Sequence, residues 1–265
     1  MQYVTIENTN LRVSRLTFGT ASLHHLYRRT QRLSLLNTAL ASGITHFDTS
    51  PYYGYGLAES DLSLFLQGRR DAITVATKVG LYPPKIIQGS LSLWCRKITG
   101  KIYKRLVKPR VNWSISEAER SLNASLKRLK TDYIDILFLH EPEPNLVSSD
   151  KFLSWLEKER SKGKIRYWGL AGQSNLVFDW VKANHPLAAV VQTNDSLHGC
   201  EANGILNHGR QLQFTYGYFS SSLRDASVLP TDMLLLKALQ RNQNGSILFS
   251  TRRMDRIKML AGTIS

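Results

Sequence analysis

Eight times along this chain a short apolar, β-rich run gives way to a stretch whose apolar residues recur at helical spacing. That alternation constrains the fold more than any other feature. The runs fall at 16–19, 45–49, 73–79, 134–139, 165–170, 188–192, 212–216 and 246–250. A strand returned to its sheet through a helix pairs in parallel, and the crossover is right-handed because strand twist and helix hand allow only that packing. Eight such units predict an α/β (β/α)8 barrel, and 265 residues suit one barrel domain spanning 1–265. A doubly wound open sheet is the rival that alternation alone does not remove.

Local signals fill in the units. Residues 4–6 and 11–13 read as an N-terminal hairpin turned at Asn8-Thr9-Asn10. Thr30 is placed to cap a helix with Leu33, Leu36 and Leu40 on one face, and Gly43 to end it. Ser116 and Glu119 form an S-x-x-E capping box ahead of Ala118, Leu122, Leu126 and Leu129. The chain has no apolar run near the roughly 20 residues a membrane helix needs. The two cysteines, Cys95 and Cys200, form no disulfide framework, and neither they nor His24, His25 and His198 have metal-ligand spacing. No metal is expected, and a cytoplasmic location is.

The formal charge is +15, and it is unevenly spread. The segment 84–113, a long insertion after the third strand, holds Lys85, Arg96, Lys97, Lys101, Lys104, Arg105, Lys108 and Arg110 and no acidic residue. Leu91, Trp94, Ile98, Ile102 and Leu106 recur between them at helical spacing. Three readings compete: a lid resting on the barrel rim, a helix lying on anionic lipid, and a basic surface that recruits an anionic substrate. The lid is favoured over peripheral membrane contact. No nucleic-acid-binding module accompanies the charge, so nucleic acid is not an expected partner.

In barrels the active site lies where strands end, because the loops there converge over the axis. Three successive strand ends carry a reactive side chain directly after an apolar run. They are Asp48 (with Tyr53 five residues on), Lys78 and His140. Each alone is as well read as a turn residue, a solvated charge or a satisfied polar group; together they would face one another.

These residues, with Gly54 and Glu59 behind Tyr53, Thr77 before Lys78, Leu139 before His140 and the run Gly163-Lys164-Ile165-Arg166-Tyr167-Trp168-Gly169, resemble the aldo-keto reductases. The resemblance implies an NAD(P)H-dependent oxidoreductase passing a hydride between NADPH and the carbonyl or alcohol carbon of a small aldehyde, ketone or sugar-like substrate. By that resemblance Tyr53 donates the proton, Lys78 paired to Asp48 lowers the phenol's pKa, and His140 orients the carbonyl or helps relay the proton. A phenol with pKa about 10 is a poor acid-base group at neutral pH, so an ammonium beside it has chemical sense.

The same resemblance assigns cofactor binding to Gly19, Thr20, Asp48, Gln192, Tyr216, Thr251, Arg252 and Arg256. Arg256 falls where the family holds the adenosine 2′-phosphate, which puts NADPH ahead of NADH, and no G-x-G-x-x-G follows a strand to suggest another dinucleotide site. The sequence departs from the family at four places. Ala171-Gly172 replace a Ser-Asn pair that holds the carboxamide, Ser250 replaces a lysine, Leu260 an asparagine, and Gly217-Tyr218-Phe219 a Ser-Pro-Leu pattern. These departures give a second reading: a non-catalytic nicotinamide-binding sensor or accessory subunit on the same scaffold, tethered by its basic segment.

Overall fold

The computed structural model describes residues 1–84, 109–221 and 229–264. The chain opens with an antiparallel hairpin of β1 (Tyr3–Thr5) and β2 (Arg12–Ser14), Val4 standing opposite Val13. β3 (Leu16–Gly19), β4 (His46–Asp48) and β5 (Thr74–Val79) begin the barrel, and β6 (Leu81–Tyr82) and β7 (Arg110–Val111) form a short antiparallel pair outside it. β8 (Ile134–His140), β9 (Ile165–Gly172), β10 (Val190–Asn194), β11 (Phe214–Tyr216) and β12 (Ser246–Phe249) complete the barrel. All eight barrel strands run parallel in chain order, and β12 pairs back to β3 with Ile247 opposite Leu16. The eight-stranded closure excludes the open sheet.

The helices outside are α1 (Arg29–Ala41), α2 (Leu57–Leu66), α3 (Ile115–Leu129), α4 (Ser149–Ser161), α5 (Ser174–Lys182), α6 (Asn203–Asn207), α7 (Tyr218–Ser221), α8 (Thr231–Arg241) and α9 (Met254–Thr263). Strands buried on both faces carry unbroken apolar runs rather than alternation. In β8, Leu137 and Leu139 pack toward the helices while Ile136 and Phe138 fill the barrel. The lumen is closed at the strands' N-terminal end by the hairpin. Its Ile6, Leu11 and Val13 pack with Ala76, Ile136, Phe138, Ala171, Val190 and Phe214. His46 lies in the same interior, stacked on Phe214 at 4.9 Å, its Nδ1 2.7 Å from Thr74 Oγ1. Burial, reinforced by the Lys78 charge, pulls its pKa down to about 3.

Two predicted caps move. Thr30 does not cap α1, which starts at Arg29 behind Arg28 with no side-chain cap. Gly43 does end it, in the left-handed region at φ 86 with its N–H on the Leu40 carbonyl. The Ser116–Glu119 box is also displaced. α3 begins two residues earlier, capped by Ser114, whose hydroxyl accepts the Glu117 N–H at 3.4 Å. Ser114-Ile115-Ser116-Glu117 is itself S-x-x-E, and Asn112 Oδ1 takes the Ser114 N–H at 2.9 Å, which fixes the earlier register. β10 starts at Val190 rather than 188 because Pro186–Ala188 form a 3-10 turn.

The insertion leaves the barrel through the neck formed by β6 and β7. Arg110 stacks over the Tyr82 ring at 5.3 Å, and Trp113 covers Gly80, whose φ of 106 suits glycine and whose missing side chain makes room for the indole. Residues 85–108, on which the lid, lipid and charge readings depend, lie outside the described residues. Among the described residues no helix is long and apolar enough to cross a membrane.

Candidate active site

β4, β5 and β8 are hydrogen-bonded neighbours, so Asp48, Lys78 and His140 reach one end of the barrel together. Tyr53 enters from the turn after β4. That turn crosses the left-handed region at Gly54, Tyr55 and Gly56, which bends the chain back over the strand ends. Lys78 Nζ contacts Asp48 Oδ1 at 2.6 Å, Asp48 Oδ2 at 2.7 Å, the Thr49 carbonyl at 3.0 Å and Tyr53 Oη at 3.2 Å. Gln192 Nε2 donates to Asp48 Oδ1 at 2.9 Å, and Thr20 Oγ1 donates to the Asp48 carbonyl at 3.0 Å. The His140 ring stands perpendicular to Tyr53, centroids 6.3 Å apart. The four side chains singled out at strand ends and loop therefore do meet.

A second layer holds this one. Glu59, fully buried on α2, accepts from Thr77 Oγ1 at 2.8 Å and from Arg128 Nε at 2.6 Å. It thus ties the strand residue beside Lys78 to α3.

Burial governs the electrostatics. It pulls the Lys78 ammonium below its ordinary value, and Asp48 works against that. It pushes the Tyr53 phenol well above its ordinary value, with the Asp48 and then the Glu141 carboxylate adding to the rise. The expected lowering by Lys78 is not what this arrangement produces, because burial, and after it the Asp48 carboxylate, drives the phenol the other way. The phenol is protonated at neutral pH. His140 is held well below the usual imidazole range by burial and by Lys78, so its ring is neutral.

Gly19, at the end of β3, and Thr20 border the cluster, and Tyr216 closes the far side at the end of β11. Burial, then the charges of Glu141, Tyr53 and Asp48, raises the Tyr216 phenol, so these groups share one field. Thr251, Arg252 and Arg256 form a separate group after β12. Thr251 is buried and accepts the Arg253 N–H at 3.2 Å, Arg252 is exposed, and Arg256 lies over the Phe219 ring at 5.5 Å. Among the described residues no hydrogen bond or ion pair joins this group to Lys78 or Tyr53. Arg253 is spent on Asp255, while among the described residues Arg252 and Arg256 have no carboxylate partner. The polar cluster and the arginine group are the two sets of residues that could hold a dinucleotide. Glu141 is the site residue that sequence reading missed.

A model of the aldo/keto reductase family matches residues 15–212. Aldo-keto reductase YhdN of Bacillus subtilis is 30% identical over 196 residues, 72% of this chain and 53% of that protein. L-galactose dehydrogenase of Arabidopsis thaliana is 31% identical over 193 residues, 69% of this chain and 52% of that protein. The chain thus spans about half the length of the curated relatives it matches. Among solved structures, the aldo-keto reductase AKR11C1 of Bacillus halodurans superposes with a TM-score of 0.76 at 21% identity, covering 100% of this chain and 91% of that one.

Proposed function

The chain belongs to the aldo/keto reductase family, and on that premise we propose that it is an NADPH-dependent oxidoreductase acting on the carbonyl or alcohol carbon of a small aldehyde, ketone or sugar-like substrate. The observation that carries this is the 3.2 Å contact between Tyr53 Oη and Lys78 Nζ, with Asp48 closing on the same ammonium. When bound, the nicotinamide supplies the hydride to a carbonyl carbon or takes it from an alcohol.

The protein's part is the proton. Tyr53, protonated by virtue of its burial, gives its proton to the carbonyl oxygen as negative charge develops there, and the carbonyl leaves as the alcohol. The phenolate left behind is answered by Lys78, which Asp48 holds in place. The neutral imidazole of His140 orients the carbonyl oxygen toward Tyr53. Gly19, Thr20, Gln192 and Tyr216 hold the nicotinamide end of the cofactor. Thr251, Arg252 and Arg256 hold the adenosine end, where a guanidinium fork suits a 2′-phosphate and favours NADPH over NADH.

Two relatives bear names of sugar oxidation, L-galactose dehydrogenase and D-threo-aldose 1-dehydrogenase, which supports a polyhydroxylated substrate. A location in a reducing cytoplasm accords with a sequence whose two cysteines, Cys95 and Cys200, make no disulfide framework. Tyr53→Phe tests the assignment. Turnover with a panel of aldehydes and aldoses should fall by at least about 100-fold, while NADPH still binds in a fluorescence titration. A variant that keeps a near wild-type rate would remove Tyr53 from this role.

A further inference from the structure

Glu141 follows His140 at the barrel mouth in the left-handed region, φ 53, a conformation that non-glycine residues rarely adopt. Its N–H on the Ala171 carbonyl at 2.7 Å fixes the turn that throws the side chain over the end of β9. There the carboxylate occupies the room where a side chain at 172 would begin: a Cβ added to Gly172 would lie 3.1 Å from Glu141 Oε2. Gln192, Ala171 and His140 form one register row across β10, β9 and β8, and Glu141 is the next residue along. Ala171 in that row and Gly172 one step along offer no side-chain hydrogen bond; Gln192 and His140 flank Ala171, and Glu141 lies against Gly172.

Half-buried carboxylates need partners. Glu141 Oε2 accepts the Gln173 N–H at 3.3 Å, and among the described residues no cation pairs with the group. Capping α5 does not account for it, because the next free N–H of that helix, on Ser174, goes to Asn194 Oδ1 at 2.7 Å instead. The carboxylate thus faces the mouth with an oxygen to spare, and its charge is felt by the phenols of both Tyr53 and Tyr216.

We propose that Glu141 binds the nicotinamide: its carboxylate accepts the carboxamide N–H in place of the missing Ser-Asn pair, and its charge favours the oxidised, positively charged ring over the neutral reduced one. This rests on the reading of the chain as an NADPH-dependent oxidoreductase. A group that stabilises the oxidised cofactor makes the reduced one a stronger hydride donor, and it acts in the same direction as a phenol already loaded with its proton. Both features suit carbonyl reduction.

Binding measurements decide it without turnover. NADP⁺ and NADPH are titrated against the wild-type protein, Glu141→Gln, which keeps the shape and removes the charge, and Glu141→Asn, whose side chain tolerates the left-handed backbone. Glu141→Gln should weaken NADP⁺ about tenfold more than NADPH, the order expected for one charge at a partly solvated site. The 3-acetylpyridine analogue of NADP⁺, which has no carboxamide N–H, should bind the wild type more weakly than NADP⁺ does, and Glu141→Asn should narrow that gap. Equal weakening of both redox forms together with a lower melting temperature would leave Glu141 a structural cap and overturn the proposal, as would unchanged Kd values. A wild-type protein that binds neither dinucleotide overturns the oxidoreductase reading itself and takes this assignment with it.

Discussion

Lys78 carries its charge where burial opposes one, and it does so because Asp48 is buried beside it at 2.6 Å. Breaking such a pair from one side strands the other charge, which costs about 3–5 kcal/mol. Lys78→Met should therefore lower unfolding stability by about that amount in a denaturant titration. The double variant Lys78→Met, Asp48→Asn should recover most of it, since it leaves no buried charge uncompensated. Both variants lose turnover, so the comparison separates the pair's structural role from its chemical one. At the same scale the site shows what sequence carries and what it does not. Asp48, Lys78 and His140 are legible because each polar side chain ends an apolar run, and strand ends in a barrel converge. Glu141 is not legible, because its position depends on a left-handed backbone no motif marks and on the absence of a side chain at Gly172.

Among the elements, the strands are the most legible and the caps the least. The run 134–139 needs only burial on both faces to be a strand, and it extends by one residue, to His140. The start of α3 was ambiguous in principle, since Ser114 to Glu119 contains two overlapping S-x-x-E matches, and Asn112 chooses between them. The β6–β7 neck pairs residues on opposite sides of a long insertion, so its partners carry no local signal. The match to the family model ends at 212, before β11 and β12, which is where the arginine group lies. α8 owes its end to a residue far away in sequence. Arg15 donates to the carbonyls of Leu239, Asn242, Gln243 and Gly245 at 3.2, 2.8, 2.6 and 2.6 Å. Arg15→Met should cost about 3 kcal/mol through the loss of charge-assisted bonds. Arg15→Lys should rescue little of this, because a single ammonium lacks the guanidinium fork. Melting temperatures of the three proteins check it.

For the whole molecule, acid should be more damaging than the charge balance alone suggests. His46 titrates at about 3 in the fold against 6.5 when unfolded, so the unfolded chain binds the extra proton. Its contribution is complete above pH 6.5 and drains away as pH falls toward 3, amounting to about 2 kcal/mol lost by pH 5. His140, also depressed, adds a loss of the same sign. Melting curves at pH 7 and pH 5 should show the drop, and His46→Leu, which removes that titration, should shrink the difference. A melting temperature independent of pH over that interval would mean the lumen is wetter than its packing indicates.

The seam where β12 meets β3 joins the last strand of the barrel to its first. Besides the strand pairing it is sewn by Thr17 to Ser246 at 2.7 Å, Ser22 to Ser250 at 2.6 Å, and the Arg15 contacts. A ribosome that has delivered everything up to residue 245 therefore holds an unclosed sheet with two naked edges, ready to pair with another nascent chain. Covering both edges waits on the arrival of β12.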